Sequence, residues 1–249
     1  MEVDMTLFDT IRFQTPVIRV KDKEANINFF REVCGFKLLT EENSLAFFCA
    51  LKDKETRFSL EESPEYRTRA ARGNKKLNKL IFKTSRPQDI EALLAQGHPV
   101  QQVFKGKQGY AFEAYSPQGD LILLHAEDNY SLLEPTKDRT FRSLPDFKGL
   151  WDYQLDAVIL NVLDDKLSQD FYQGLPLTID VSLAQGEDLA SDPAKIWDLE
   201  ILEFTVAQDD DLRALGEFFA QKQAPYFLDK KECILVVSDP SNIELWFQK

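Results

Sequence analysis

A strand-turn-helix pattern that recurs at a fixed spacing constrains this chain more than any other feature. Residues 17–30 (VIRVKDKEANINFF) alternate as a strand through Val20, turn at Asp22, and continue as a helical stretch that ends at Phe29-Phe30 and is closed by Cys34-Gly35. Residues 159–172 (ILNVLDDKLSQDFY) repeat the plan, with Val162, Asp164, Phe171 and Tyr172 in the places of Val20, Asp22, Phe29 and Phe30, and Gly174 near the helix end. Two copies of one supersecondary unit at such a distance mean that the fold is assembled from modules.

Half-repeats lie between these copies. KLIFKT (79–84) runs into PQDIEALLAQG, with Pro87 at a helix start and Gly97 past its end, and LEILEFTV (199–206) runs into QDDDLRALGEFFAQK. Short β-type runs follow three of the helices: FKLLTEE, LAFFCAL and RFSLEE in the first quarter, PVQQVF, GYAFEAY and DLILLHA in the second, PYFLD, ECILVVS and NIELWF in the fourth. The expected architecture is α+β, a βαβββ module four times over. The third copy is short, because after LTIDVSL comes the loop-like QGEDLASDPAKIWD, so one or two of its strands are expected to be missing.

Residues 127–150 hold Pro135 and Pro145, show no clear period, and divide the chain into an expected N-terminal domain (1–126), a linker (127–150) and a C-terminal domain (151–249). Charge divides the same way: residues 1–126 hold 19 Lys+Arg and 17 Asp+Glu, whereas 151–249 hold 7 and 20. An acidic surface of that density argues against nucleic acid and anionic lipid as partners. Neither a leader-like start nor an 18-residue apolar run is present in the sequence given, so a soluble, cytoplasmic protein is expected. The three cysteines, without a CxxC, fit reduced core thiols.

The x-V-x-D strand, the helix ending in an aromatic pair, the Gly-Phe turn and the later YSPQGDLILL together resemble the glyoxalase, bleomycin-resistance and extradiol-dioxygenase superfamily, the vicinal oxygen chelate fold. The signatures are VKDKEANINFFREVCGFKL and SPQGDLILL in the first half, and NVLDDKLSQDFY and SDPSNIELWF in the second. More narrowly, the chain is similar to the CppA family, streptococcal proteins with an N-terminal and a C-terminal domain of this type, described as proteinases that degrade the third component of complement. The resemblance implies a hydrolase with a host complement protein as partner, and a fold that pairs its modules within or between chains, as in a homodimer. In metal-dependent relatives, an ion is held by His or Gln on the first strand of each module and Glu on the last. Carried over, those seats fall at Thr15, Lys79 and Leu123 in the first half, and at Ala157, Ile201 and Glu244 in the second. Glu244 alone keeps a carboxylate, so no metal centre and no cofactor are expected.

Proteolysis finds little support in the residues. HExxH, GxSxG, DTG and DSG are absent, and only His98 and His125 offer an imidazole base. His98 follows a helix end and reads as a loop residue. The strand period of two puts Leu121, Leu123 and His125 of LILLHAED on one face, so His125 is expected at a cavity mouth, with Glu127 or Asp128 near enough to orient it. His125 and Glu113 are therefore the candidate catalytic pair, with a half-exposed strand-end histidine as the plainer alternative. Candidate ligand-binding residues are Lys79, the loop residues Arg67, Arg69 and Arg72, and the pair Glu244 and Trp246 on the last strand. The basic loop has two other uses: a solvated connector, or a strap lying on the acidic second half. Asp209, Asp210 and Asp211 fall where a helix starts, and acids are favoured there by its dipole. Three functions thus stand open: a complement-degrading proteinase, a metal-free binder of a small organic ligand, and a small-molecule enzyme using His125.

Overall fold

The computed structural model describes residues 8–249. In chain order the elements are β1 (Arg12–Val20), α1 (Lys23–Glu32), β2 (Lys37–Glu42), β3 (Leu45–Cys49), β4 (Phe58–Glu62), β5 (Leu77–Lys83), α2 (Pro87–Ala95), β6 (Gln102–Lys105), β7 (Tyr110–Tyr115), β8 (Leu121–His125), β9 (Glu134–Pro135), β10 (Gln154–Val162), α3 (Asp165–Tyr172), β11 (Ile179–Leu183), β12 (Leu199–Thr205), α4 (Leu212–Gln221), β13 (Tyr226–Leu228), β14 (Ile234–Ser238) and β15 (Glu244–Gln248). The recurring aspartate is the helix N-cap. Asp22 Oδ1 accepts from Ala25 N at 2.9 Å, Asp164 Oδ1 from Leu167 N at 2.9 Å, and Asp211 Oδ1 from Arg213 N at 2.9 Å and Ala214 N at 3.1 Å. Each carboxylate satisfies amides that the first helical turn leaves without a partner. The second module starts with Pro87 in place of such a cap.

The residues gather into two compact units, each drawn from separated stretches of chain. Unit 1 takes the chain up to Arg19, Pro64–Asn78 and Ala157–Lys249, while unit 2 takes Val20–Ser63 and Lys79–Asp156. In unit 1 the strands β1, β12, β15, β14 and β13 lie side by side in that order. β12 pairs in parallel with β15, and the other neighbours are antiparallel. In unit 2 the order β5, β8, β7, β6 repeats the plan of β12, β15, β14, β13, with the first and fourth strands of the module again parallel.

The third module departs from this plan in an informative way. β11 pairs in parallel with β10, so it occupies the seat that β8 and β15 hold in their modules. Both middle strands are therefore missing. In their place, residues 184–198 run through two 3-10 turns, Glu187–Ala190 and Pro193–Lys195, and reach β12 without a hairpin. The acidic, proline-bearing sequence there has no alternation of apolar residues with which to form one.

Each unit has its own core. In unit 1, Leu202, Phe204, Leu235, Val237, Leu245 and Phe247 point to one side of the sheet and are covered by Leu215 and Phe219 of α4. Phe204 stacks on Phe247 with centroids 4.8 Å apart, and Phe219 lies 5.7 Å from Phe247. In unit 2, Phe30, Phe36, Phe48, Phe58, Phe82 and Tyr153 form one aromatic cluster, with Phe30 and Phe58 centroids at 4.1 Å and Phe36 stacked on Tyr153 at 3.9 Å. Gly149, at φ 132°, is required beside that cluster. A Cβ there would stand 2.5 Å from the Gly35 carbonyl oxygen, which accepts the Leu150 amide at 2.8 Å.

Candidate functional site

The outer face of the unit 1 sheet is where unpaired acceptors and apolar surface coincide. The strand period of two puts Ile201, Glu203 and Thr205 of β12 and Glu244, Trp246 and Gln248 of β15 opposite the core side, and all six are half-buried. Register then aligns one row across five strands: Thr15 on β1 faces Glu203, Glu203 faces Trp246, Trp246 faces Val236 on β14, and Val236 faces Phe227 on β13. Exposure rises along the row, from Thr15 at 1% to Phe227 at 62%. Burial pushes the Glu203 carboxyl above its usual range, and the Thr15 hydroxyl, donating to it, partly restrains that shift. Trp246 Nε1 donates to Glu244 Oε2 at 2.7 Å, which fixes both side chains. Among the described residues neither carboxylate meets a Lys or Arg in an ion pair. Two hydrogen-bond acceptors thus share one face with an indole and an exposed phenyl ring.

Glu244 and Trp246 are among the sequence candidates, whereas Glu203 is not. The signal was present: in LEILEFT, Glu203 alternates between Leu202 and Phe204 on a strand whose other side is core. Of the two second-half first-strand positions, Glu203 and not Ile201 stands opposite Thr15.

The remaining sequence candidates are dispersed. His125 is wholly buried, not at a cavity mouth and not half-exposed. Its Nδ1 accepts the Glu127 amide at 3.2 Å, so the neutral ring carries its proton on Nε2. Nε2 in turn lies 3.2 Å from Asp156 Oδ2, off the line of a good hydrogen bond. Neither nitrogen keeps a lone pair for a substrate proton, so the ring is placed as a packed structural group. Glu127, expected to orient His125, binds the Gln108 and Gly109 amides at 2.7 and 3.2 Å instead, and Asp128 pairs with Lys83 at 3.2 Å. Glu113 and Lys79 are brought together, but with each other, in an ion pair. Among hydroxyls, Ser85 Oγ donates to Asp152 Oδ2 at 2.5 Å; bonds from Ser85 and Thr84 hold that carboxyl below its usual range and leave it a poor base. Cys34 and Cys49 are buried, and burial raises both thiols, whereas Cys233, expected in the core with them, is exposed in the turn before β14.

The three arginines do not converge on a ligand. Arg69 pairs with Asp188, whose second oxygen accepts the Arg72 amide, while Arg67 lies over the exposed ring of Tyr66 at 5.3 Å. Further along the same connector, Asp198 accepts from the amides of Lys76 at 2.5 Å, Leu77 at 3.1 Å and Leu199 at 2.8 Å. Lys76, buried in full, donates its Nζ to the Ser191 carbonyl, and burial lowers its pKa. Of the three uses weighed for the basic loop, the geometry is that of a strap, docked on residues 185–198 inside unit 1.

The metal seats of the superfamily can be tested directly. Thr15 is buried against Glu203, Lys79 is in its ion pair, Leu123 and Ala157 are buried and apolar, and Glu244 is held by Trp246. Among the described residues no three His, Cys, Asp or Glu side chains come together as a metal would require. The donor set does not fit a transition-metal centre.

Comparison with known proteins agrees with the modular reading. Family models described as CppA N-terminal and CppA C-terminal match residues 13–136 and 150–247. The crystal structure of the CppA protein from Streptococcus pneumoniae TIGR4 is 31% identical, with a TM-score of 0.82 over 97% of this chain and 99% of that one. Glyoxalase I from Zea mays shares the fold at 16% identity, with a TM-score of 0.56 over 96% of this chain and 92% of the other. None of the curated proteins matches this sequence.

Proposed function

From the premise that the chain belongs to the CppA family and has the glyoxalase-type fold, we propose that it is a binding protein that takes a small organic cation on the open face of unit 1. One observation carries the reading: Glu203 is half-buried on the outer sheet face, bonded to Thr15, beside Trp246, and without a Lys or Arg ion-pair partner among the described residues. A carboxylate kept there at the expense of burial is an acceptor waiting for a donor. Trp246 and Phe227 supply aromatic surface, which attracts a cation through the ring quadrupole and an apolar body through burial. The bound molecule would set its ammonium or guanidinium against Glu203 and Glu244 and its apolar part along Trp246, Val236 and Phe227.

The proteinase activity implied by the family description needs a nucleophile beside a free base. His125 is wholly buried with Nδ1 taken by the Glu127 amide, Asp152 is a weak base, and the thiols of Cys34 and Cys49 are buried. These placements support binding over peptide hydrolysis. Two measurements test the proposal together. Titration with the cationic aromatic alkaloid berberine, followed by its fluorescence, is expected to saturate and to weaken about tenfold in Glu203→Gln, the loss of one coulombic contact to its quaternary, donor-less nitrogen. Incubation with the third complement component is expected to leave that substrate intact. Absence of saturable binding, or cleavage lost in His125→Ala, overturns the reading.

A further inference from the structure

The shortened third module leaves a sheet edge that its sister modules cover. In module order, β8 and β15 each hold the fourth-strand seat, and each is flanked on its outer side by an antiparallel strand, β7 or β14. β11 holds the same seat, yet β10 is its one strand partner among the described residues. The ladder with β10 shows which backbone groups point outward. The Thr178 carbonyl accepts the Val158 amide at 3.0 Å, and the Ala184 amide donates to the Val162 carbonyl at 2.9 Å. In a parallel ladder the even-numbered residues of β11 therefore face β10, and the amides and carbonyls of Val181 and Leu183 face away.

Other sheet edges in the molecule are blunted. β2 carries Lys37, Glu41 and Glu42, β13 is three residues long, and β9 has two residues, one of them Pro135. β11, with the sequence IDVSL, has five residues, no proline, no lysine and a single charge. Leu183 at its end is 64% exposed, and Leu163, next to its register partner Val162, is 50% exposed.

We infer that β11 pairs antiparallel with β11 of a second copy of this chain, across a two-fold axis at Val181. That register sets each outward-facing residue against another: Val181 against Val181 of the copy, and Ile179 against Leu183. It also places Asp180 opposite the Ser182 hydroxyl. Shifting the axis by one residue to Asp180 would set two carboxylates face to face and shorten the ladder, so charge selects the Val181 register. A five-residue ladder with two leucines falls well short of the roughly 1,600 Å² of a standard interface, so the dimer is concentration-dependent.

Sedimentation velocity on the full chain, from micromolar to a few hundred micromolar, tests this. The wild type is expected to shift toward the dimer as concentration rises. Val181→Pro, which removes only an outward amide, is expected to stay monomeric with an unchanged circular dichroism spectrum. Should that variant unfold, Val181→Cys in a Cys233→Ser background is expected to form a disulfide dimer on mild oxidation, because the paired Cα atoms stand about 5.5 Å apart. A wild type that remains monomeric throughout, a dimer that survives Val181→Pro, or a Val181→Cys chain that does not cross-link overturns the inference.

Discussion

In unit 2 the polar groups carried by β5, β7 and β8 answer one another, whereas in unit 1 the matching groups on β12 and β15 do not. Lys79 closes on Glu113, and His125 takes the Glu127 amide on Nδ1 and lies with Nε2 3.2 Å from the Asp156 carboxylate. Among the described residues Glu203 and Glu244 bond to Thr15 and the Trp246 indole, neither of them a cation. The two modules share strand order and parallel pairing, so the difference lies in side chains and not in the scaffold. Compensated charge on a sheet face reads as architecture; uncompensated charge beside aromatic surface reads as a site.

The contrast can be broken at several strengths. The largest expected effect is Phe58→Ala, which opens a cavity in the aromatic cluster of unit 2. It should cost about 3–5 kcal/mol in denaturant unfolding, while berberine affinity of the folded protein stays unchanged. A loss of affinity there would contradict the assignment of the site to unit 1. Next is Asp198→Ala, which strips the carboxylate from the amides of Lys76 at the end of the strap, Leu77 of β5 and Leu199 of β12, all in unit 1. About 2–3 kcal/mol of stability should be lost, since buried donors are left without partners. A cost below about 0.5 kcal/mol would mean that the strap is held by other contacts.

Glu203→Gln and Glu113→Gln form a matched pair across the two units. The first should weaken berberine about tenfold, roughly 1.4 kcal/mol, and the second should leave affinity unchanged. Equal effects would erase the comparison. The smallest expected effect is on pH dependence. Glu203 has a folded pKa above its unfolded value, so the folded state binds the extra proton, and stability falls as pH rises through that raised value. Replacing it by Gln should therefore raise the midpoint of thermal unfolding at pH 7 by roughly 1 °C, and change nothing near pH 3.5. Asp152 has the opposite sign: its folded pKa is lowered, so its contribution is present above the usual carboxylate range and is lost as pH falls through the lowered value. An Asp152→Asn variant that lost no stability at pH 7 would contradict that.

Much of the fold was written in local pattern. The Asp22 and Asp164 repeat marked two helix starts because a capping carboxylate is a local interaction, and the alternating runs marked the strands for the same reason. The missing hairpin of the third module showed as lost alternation after LTIDVSL, although whether one strand or two was gone depended on the parallel pairing of β11. What stayed hidden depended on partners far along the chain. His125 reads as a cavity residue until Asp156 and the Glu127 amide enclose it, and Arg69 reads as a ligand clamp until Asp188, 119 positions away, takes it. Glu203 stays hidden for a different reason: the superfamily pattern points to Ile201, whereas the residue facing Thr15 lies one step along the same face.

Whether unit 1 alone holds the ligand is read most directly by the three tryptophan indole N–H resonances. In a berberine titration of ¹⁵N-labelled protein, the Trp246 indole, tied to Glu244 on the open face, is expected to shift progressively and to need about tenfold more ligand for the same shift in Glu203→Gln, while Trp151 and Trp197 hold still. A titration that moves Trp151 and leaves Trp246 in place would contradict the assignment to unit 1.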